Sequence, residues 1–367
     1  KFDYQIYNNA ALVASLLYSV LRRRRRINIA ISAAILPLVL DESVCNLVEN
    51  RHFSLMNILQ IGKNKLLNFN EQYYDALPVL VDGVSVLPSD GKEIGVHYCP
   101  NRKYASVNGT DLHLQILRPF NRQNGETEIL PCIVFVQGSA WMKQNVYGQL
   151  PLMGNLARRG YVIACVEYRH SEIAPFPAQA IDTRNAVRFL KKNARTYGID
   201  PEKIILGGDS SGGHTAMFAG ILHNDDSDEN LFPGISGEVK GIINLYGSVS
   251  VMYEDGNPTT LNHHLPDSPE GLEMGGINLK EHPELCRKLS AECNIFPDTE
   301  IAPVLIFHGT KDRTVHTKQS VGLYKRLKEC GKDVQLYLIA GGDHGGAEYW
   351  TEQILDIEEK FIKKCLS

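Results

Sequence analysis

Residues 203–217 read KIILGGDSSGGHTAM, an apolar, β-branched run that passes into four glycines around two adjacent serines. Such a run predicts a short buried strand, and "SGGHTAMFAGIL" after it predicts a helix, so the glycines mark a sharp strand-to-helix turn. A nucleophile lifted clear of a sheet sits in that kind of turn. Glycines two before and two after it remove the Cβ atoms that would clash. Gly208-Asp209-Ser210-Ser211-Gly212 fits G-x-S-x-G on Ser210. A frame on Ser211 fails because it needs glycine at position 209, which is Asp. Ser210 is therefore the candidate nucleophile, with the backbone N–H of Ser211 placed to donate to an oxyanion.

Working outward, strands and helices alternate from about residue 96. "DLHLQILRP" alternates like a half-exposed strand, while "CIVFVQG", "YVIACVEYR", "KGIINLYG" and "PVLIFHG" are continuous apolar runs, and "DVQLYLIAGG" supplies one more strand. Between them, "LMGNLARRG" predicts a short helix. "PAQAIDTRNAVRFLKKNARTYG" predicts a longer one from Pro177 to Gly198, and Trp350, Ile354, Ile357, Phe361 and Cys365 recur at helical spacing. This pattern predicts an α/β fold: a mostly parallel sheet with helices on both faces. In such sheets chemistry collects at the carboxyl ends of the strands.

A serine hydroxyl needs a base, and the base needs an orienting carboxylate. For a strand–turn–helix nucleophile the partners follow in the order acid, then histidine. Asp312 lies just beyond the strand "PVLIFHG", and His344 lies in "GGDHGG" beyond the next strand. Other histidines have duller readings. His308 ends its strand and hydrogen-bonds locally, and His214 points along a packed helix face. His263 and His264 with Asp267 make a weak metal pattern. Asp343 is adjacent to His344, too close in sequence for the required side-chain bond.

These residues resemble the α/β-hydrolase carboxylesterases, more narrowly the bacterial acetyl- and feruloyl-esterase type and the hormone-sensitive-lipase-like esterases. The resemblance spans roughly residues 104–365 and rests on "GGDSSGGH", "HGTKDRTV" and "GGDHGG". It implies catalysis by Ser210, Asp312 and His344, no metal and no cofactor. The oxyanion loop of that family reads His-Gly-Gly-Gly-Trp, whereas this chain has Gln137-Gly138-Ser139-Ala140-Trp141. The resemblance puts the oxyanion donors on the amides of Ser139 and Ala140, beside that of Ser211. It makes Gly138 and Trp141 candidate substrate-binding residues. A non-glycine residue at positive φ in that loop would be strained.

Two domains are expected: a helical N-terminal extension over residues 1–95, and the hydrolase domain over 96–367 with a cap inserted at 248–300. "LRRRRRINIAISAAILPLVL" (21–40) sets five arginines before fourteen mostly apolar residues. That is too short to span a bilayer, which takes about 20 residues. It is expected to pack as a lid over the pocket mouth or as a contact between copies in a homo-oligomer, with membrane-surface contact the lesser alternative. A net charge of −4 argues against a nucleic-acid partner. The eight cysteines form no C-x-x-C pair, which suits reduced thiols and a cytoplasmic location. The expected activity is hydrolysis of short acyl or cinnamoyl esters of small molecules, including sugar-linked ones. Amide hydrolysis (an arylformamidase or a prolyl-type peptidase) and a catalytically silent binding protein on the same fold stand as alternatives.

Overall fold

The computed structural model describes residues 93–120, 128–222, 229–252 and 259–367. The expected N-terminal extension, with its lid, oligomer and membrane-surface readings, therefore falls outside the described residues, apart from the last three positions of 1–95.

Eight strands build one sheet: β1 (Gly95–Val107), β2 (Thr110–Phe120), β3 (Leu130–Val136), β4 (Val162–Val166), β5 (Ile199–Asp209), β6 (Gly241–Leu245), β7 (Val304–Gly309) and β8 (Val334–Ile339). Their order is β1-β2-β4-β3-β5-β6-β7-β8. β2 pairs antiparallel with both β1 and β4, and the remaining pairings are parallel. Every residue of β4, β6 and β7 is buried, which is why these strands read as largely apolar runs, with Asn244 in β6 and His308 in β7 as the polar exceptions.

Alternate residues feed two cores. Cys132, Val134 and Val136 of β3 join one with Val187, Leu190, Met217, Leu323 and Leu327. Ile133 and Phe135 join the other with Met153, Leu156, Ile354, Phe361 and Ile362. The helices among the described residues are α1 (Leu150–Arg158), α2 (Ala178–Lys192), α3 (Ala194–Tyr197), α4 (Ser211–Ile221), α5 (Pro269–Glu273), α6 (Pro283–Leu289), α7 (Lys318–Glu329) and α8 (Glu352–Leu366), of which α1, α2, α4, α7 and α8 supply those core residues.

Two features depart from the sequence reading. The helix expected from Pro177 to Gly198 is divided at Asn193, whose side-chain amide donates to Phe189 O (2.8 Å), and the one-turn α3 completes it. Gly198 ends that turn in the left-handed region (φ 64°), as the glycine stop predicts. The sheet also holds a strand ahead of "DLHLQILRP", the first one named from the sequence. β1 is an edge strand with mostly exposed or half-exposed side chains, so it carries no apolar signature.

Between β6 and β7 the rhythm pauses where the cap was expected. That segment holds α5, α6 and short 3-10 turns at Leu279–Glu281 and Ala291–Asn294. It docks on the neighbouring loops: Thr260 N donates to Arg313 O (2.6 Å), and Phe176 N donates to Glu273 O (2.8 Å).

Candidate active site

β5 delivers Ser210 into the turn before α4. Its backbone is at φ 52°, ψ −128°, a conformation that costs a non-glycine residue free energy and is held by what surrounds it. The flanking glycines explain how the turn closes. A Cβ on Gly208 would lie 2.3 Å from Gly212 O, and one on Gly212 would lie 2.0 Å from Val136 O. Ser210 N donates to Leu245 O (3.0 Å), and Ser210 O accepts from His214 N and Ser248 N (3.2 and 3.1 Å).

Ser210 Oγ stands 2.8 Å from His344 Nε2, and His344 Nδ1 stands 2.8 Å from Asp312 Oδ2. Asp312 Oδ1 accepts from the amides of Thr314 and Val315 (2.9 and 2.8 Å). Burial pushes the Asp312 carboxyl up, but hydrogen bonds from His308 and His344 outweigh it and hold the group well below the carboxylate range. An ionised carboxylate only accepts, so Nδ1 of His344 carries the hydrogen. Its Nε2 lone pair is then left to accept from the Ser210 hydroxyl. The structure thus brings together the three residues named from sequence. Asp343, the rejected neighbour, pairs instead with Arg313 (Oδ2 to Nε 2.7 Å).

The oxyanion loop differs in part from expectation. Ser139 N already donates to Ser211 Oγ (2.9 Å), so the side chain of Ser211 occupies the amide assigned as a donor. Gly138 N donates to Asp209 Oδ1 (2.9 Å), which makes Gly138 an anchor point of the loop rather than a substrate contact. Trp141 is only 1% exposed, and its Nε1 donates to His214 Nδ1 (3.3 Å), so the indole packs inside and does not line a pocket. The amides of Ala140 and Ser211 make no protein hydrogen bond among the described residues. Ala140 and Trp141 both adopt φ 55°, the strained left-handed conformation foreseen for this loop.

Several residues around the site were not named for their roles. Asp209 is buried and gathers three donors: Gly138 N at Oδ1, and Gln149 Nε2 (2.9 Å) and Tyr246 OH (3.2 Å) at Oδ2. Burial pushes its carboxyl up, while the bonds from Gly138, Gln149 and Tyr246 pull the other way. The Tyr246 ring meets the His344 ring edge-on, centroids 5.0 Å apart. Tyr168 OH lies 2.9 Å from Ser139 Oγ, and the loop bearing it is fixed by the buried Arg169–Asp182 ion pair. Only Asp209 carried a signal in the sequence, from its place inside the nucleophile motif. His214, buried, has its imidazole pushed down to about 4 by desolvation and packs as expected. The weak metal pattern dissolves: His263 binds Glu270 and Thr314 O, and His264 Nε2 binds Val251 O. No group of three His, Cys, Asp or Glu side chains among the described residues is arranged to hold a metal ion.

This sheet order, with a serine on the β5–α4 turn and its acid and histidine beyond β7 and β8, defines the α/β-hydrolase fold and its serine-hydrolase arrangement. Among solved structures the chain is similar to a truncated carbohydrate esterase from gut microbiota (TM-score 0.64, 24% identity, covering 76% of this chain and 99% of that one). It is also similar to the propionate-bound esterase Est2 of the Planctomycetes species Thermogutta terrifontis (TM-score 0.57, 24% identity, 75% and 94%). The BD-FAE family matches residues 114–327, more than half of the chain, and the chain belongs to that family.

Curated relatives include the esterase LipC of Mycobacterium tuberculosis, 26% identical over 238 residues, covering 63% of this chain and 57% of LipC. Another is the isoprenylcysteine alpha-carbonyl methylesterase ICME of Arabidopsis thaliana, 27% identical over 227 residues, covering 58% and 50%. The chain spans about half the length of the curated relatives it matches.

Proposed function

We propose that the protein is a serine carboxylic-ester hydrolase that works through an acyl-enzyme. The observation that carries this reading is the unbroken line Ser210 Oγ–His344–Asp312 with both contacts at 2.8 Å. Ser210 attacks the ester carbonyl as His344 Nε2 takes its proton, and Asp312 keeps the imidazole in the productive tautomer. Negative charge on the carbonyl oxygen is met by the amides of Ala140 and Ser211, fixed donors that need no reorganisation as the charge develops. His344 then protonates the leaving alcohol, and water releases the acyl group through the same groups in reverse.

The substrates are small-molecule esters. Short acyl or cinnamoyl esters, including carbohydrate-linked ones, fit the BD-FAE membership and the carbohydrate esterase likeness. A methyl ester fits the ICME likeness equally. The segment between β6 and β7 acts as the cap. Cys132 and Cys165 are packed in the core as small apolar side chains, which suits a reducing compartment such as the cytoplasm.

The test is Ser210→Ala, assayed with p-nitrophenyl acetate and with an organophosphonate label read by mass spectrometry. Loss of both hydrolysis and label supports the reading. Retained turnover, or label on Ser211, overturns it.

A further inference from the structure

His308 is the penultimate residue of β7 and fully buried, and the catalytic scheme above makes no use of it. Its Nε2 faces two acceptors: Val315 O at 2.9 Å and Asp312 Oδ2 at 3.2 Å. Both only accept, so Nε2 carries a hydrogen, directed at the Val315 carbonyl with its positive edge against the carboxylate. The other ring nitrogen, Nδ1, meets Ser320 Oγ of α7 at 2.7 Å. Val315 in turn donates its N–H to Asp312 Oδ1 at 2.8 Å. Both oxygens of Asp312 are thus tied to one ring, Oδ2 directly and Oδ1 through Val315. His344 shares Oδ2 from the opposite side at 2.8 Å.

We infer that His308 is a positioning residue for Asp312. It fixes the carboxylate against His344 and draws off part of the charge that would otherwise hold a proton on His344. The inference rests on the proposed hydrolase reading.

Other charged and titratable groups also face this pair. From the strand ends come Asp209 and Tyr246, and from the Asp312 loop come Arg313 and His316. Beyond β8 lie Asp343 and Tyr349, and His263 reaches Asp312 from the segment between β6 and β7. None of these supplies a donor between Asp312 Oδ2 and Val315 O. Removing the Nε2–H therefore changes the pair in one direction: Oδ2 becomes more basic, and a proton on His344 is held more tightly.

The test compares His308→Asn with His308→Gln in the full chain, using p-nitrophenyl acetate from pH 4.5 to 9, with folding checked by thermal melting. The asparagine amide reaches the Ser320 hydroxyl but stops short of Asp312. The longer glutamine amide restores a donor near the Nε2 position. For the Asn variant the expected result is kcat lowered about tenfold with KM unchanged, the scale of one lost hydrogen bond to a charged group. The acid limb of kcat/KM moves up by about half a pH unit. The Gln variant recovers most of both. An acid limb that does not move in a folded Asn variant, or a loss confined to KM or to melting temperature, overturns the inference.

If the Asn variant does not fold, Ser320→Ala carries the test, because it frees the ring without touching Asp312. Lowered kcat at constant KM then supports the inference, and unchanged kcat overturns it. Retained activity in Ser210→Ala would instead strike the hydrolase reading itself, so the two failures are distinguishable.

Discussion

Asp209→Ala tests whether the oxyanion loop is held by the carboxylate beside the nucleophile. The substitution strands three donors: Gly138 N (2.9 Å), Gln149 Nε2 (2.9 Å) and Tyr246 OH (3.2 Å). A buried donor left without a partner costs about 1–3 kcal/mol. Gln149 and Tyr246 can turn toward other partners, whereas the Gly138 amide is fixed in the backbone. Deleting a buried carboxylate whose pKa burial has raised also relieves a desolvation cost. The net expectation is about 2–4 kcal/mol of lost stability.

Asp209→Asn should be far milder. Its Oδ1 still accepts from Gly138. Its amide can donate to Tyr246 OH and to Gln149 Oε1, a buried atom with no protein partner in the native arrangement. For Ala, releasing Gly138 displaces the Ala140 amide two residues on, and a shift near 1 Å costs about 10²-fold in rate. The assay is urea unfolding alongside p-nitrophenyl acetate kinetics, with active sites counted by phosphonate titration so that kcat refers to folded enzyme. The expected order is a kcat loss of about 100-fold for Ala and less than about fivefold for Asn. Asn as damaging as Ala would show that the negative charge matters rather than the acceptor geometry. Ala within threefold of the native enzyme would show that Asp209 does not hold the loop.

Two further outcomes follow from particular contacts. Ser211→Ala removes the acceptor of Ser139 N but keeps the Ser211 amide, so kcat should fall less than about tenfold and phosphonate labelling of Ser210 should persist; loss of the label would contradict this. Burial pushes the Glu358 carboxyl up to about 8, opposed only by Arg159, against an ordinary value of 4.5. Between those values the folded state keeps a proton that the unfolded chain releases, so stability declines as pH rises through that window. Glu358→Gln should therefore raise the melting temperature at pH 9 and leave it nearly unchanged at pH 4.5, and an equal change at both would refute the linkage.

How much of this could be read from the sequence depended on how local each cause is. The buried central strands were legible because a strand covered on both faces is mostly apolar, as "VIACV" and "VLIF" are. The line of Ser210, Asp312 and His344 was legible because each follows a strand end whose run is plain, and the glycines around Ser210 answer a steric demand a few atoms away. β1 was not, since an edge strand with exposed side chains shows no pattern. Trp141 was misread as a pocket wall because an indole two residues past Ser139 reads the same whether it faces solvent or turns inward. Its inward turn depends on His214, 73 residues away. The Ser139 amide was misassigned for a related reason. The hydroxyl that occupies it belongs to Ser211, which the sequence marked only for its backbone. Tyr246 gained its role through contacts that cross from one strand end to the next, to Asp209 and His344, and no local spacing reports those.

The strain in the oxyanion loop connects these points. Ala140 and Trp141 both hold φ 55°, and a left-handed backbone costs a residue with a Cβ roughly 1–2 kcal/mol. The family pattern avoids part of that cost with glycine, yet this chain places alanine there. The loop keeps its shape because it is pinned beyond the strained pair as well as before it. Before the pair, Gly138 is tied to Asp209 and Ser139 to Ser211, and the Ser139 hydroxyl reaches across the bend to Met142 O. On the far side the Trp141 carbonyl accepts from Ser171 N (2.9 Å), and the indole is buried against His214, Nε1 to Nδ1. Burying a large side chain contributes about 1.5–3 kcal/mol, comparable to the strain of one such residue before the hydrogen bonds are added. The tryptophan therefore serves the site from inside the core, fixing the curvature of the loop that carries the Ala140 amide. A substitution at Trp141 should consequently act on kcat through the oxyanion donors, not on KM through a substrate contact it does not make.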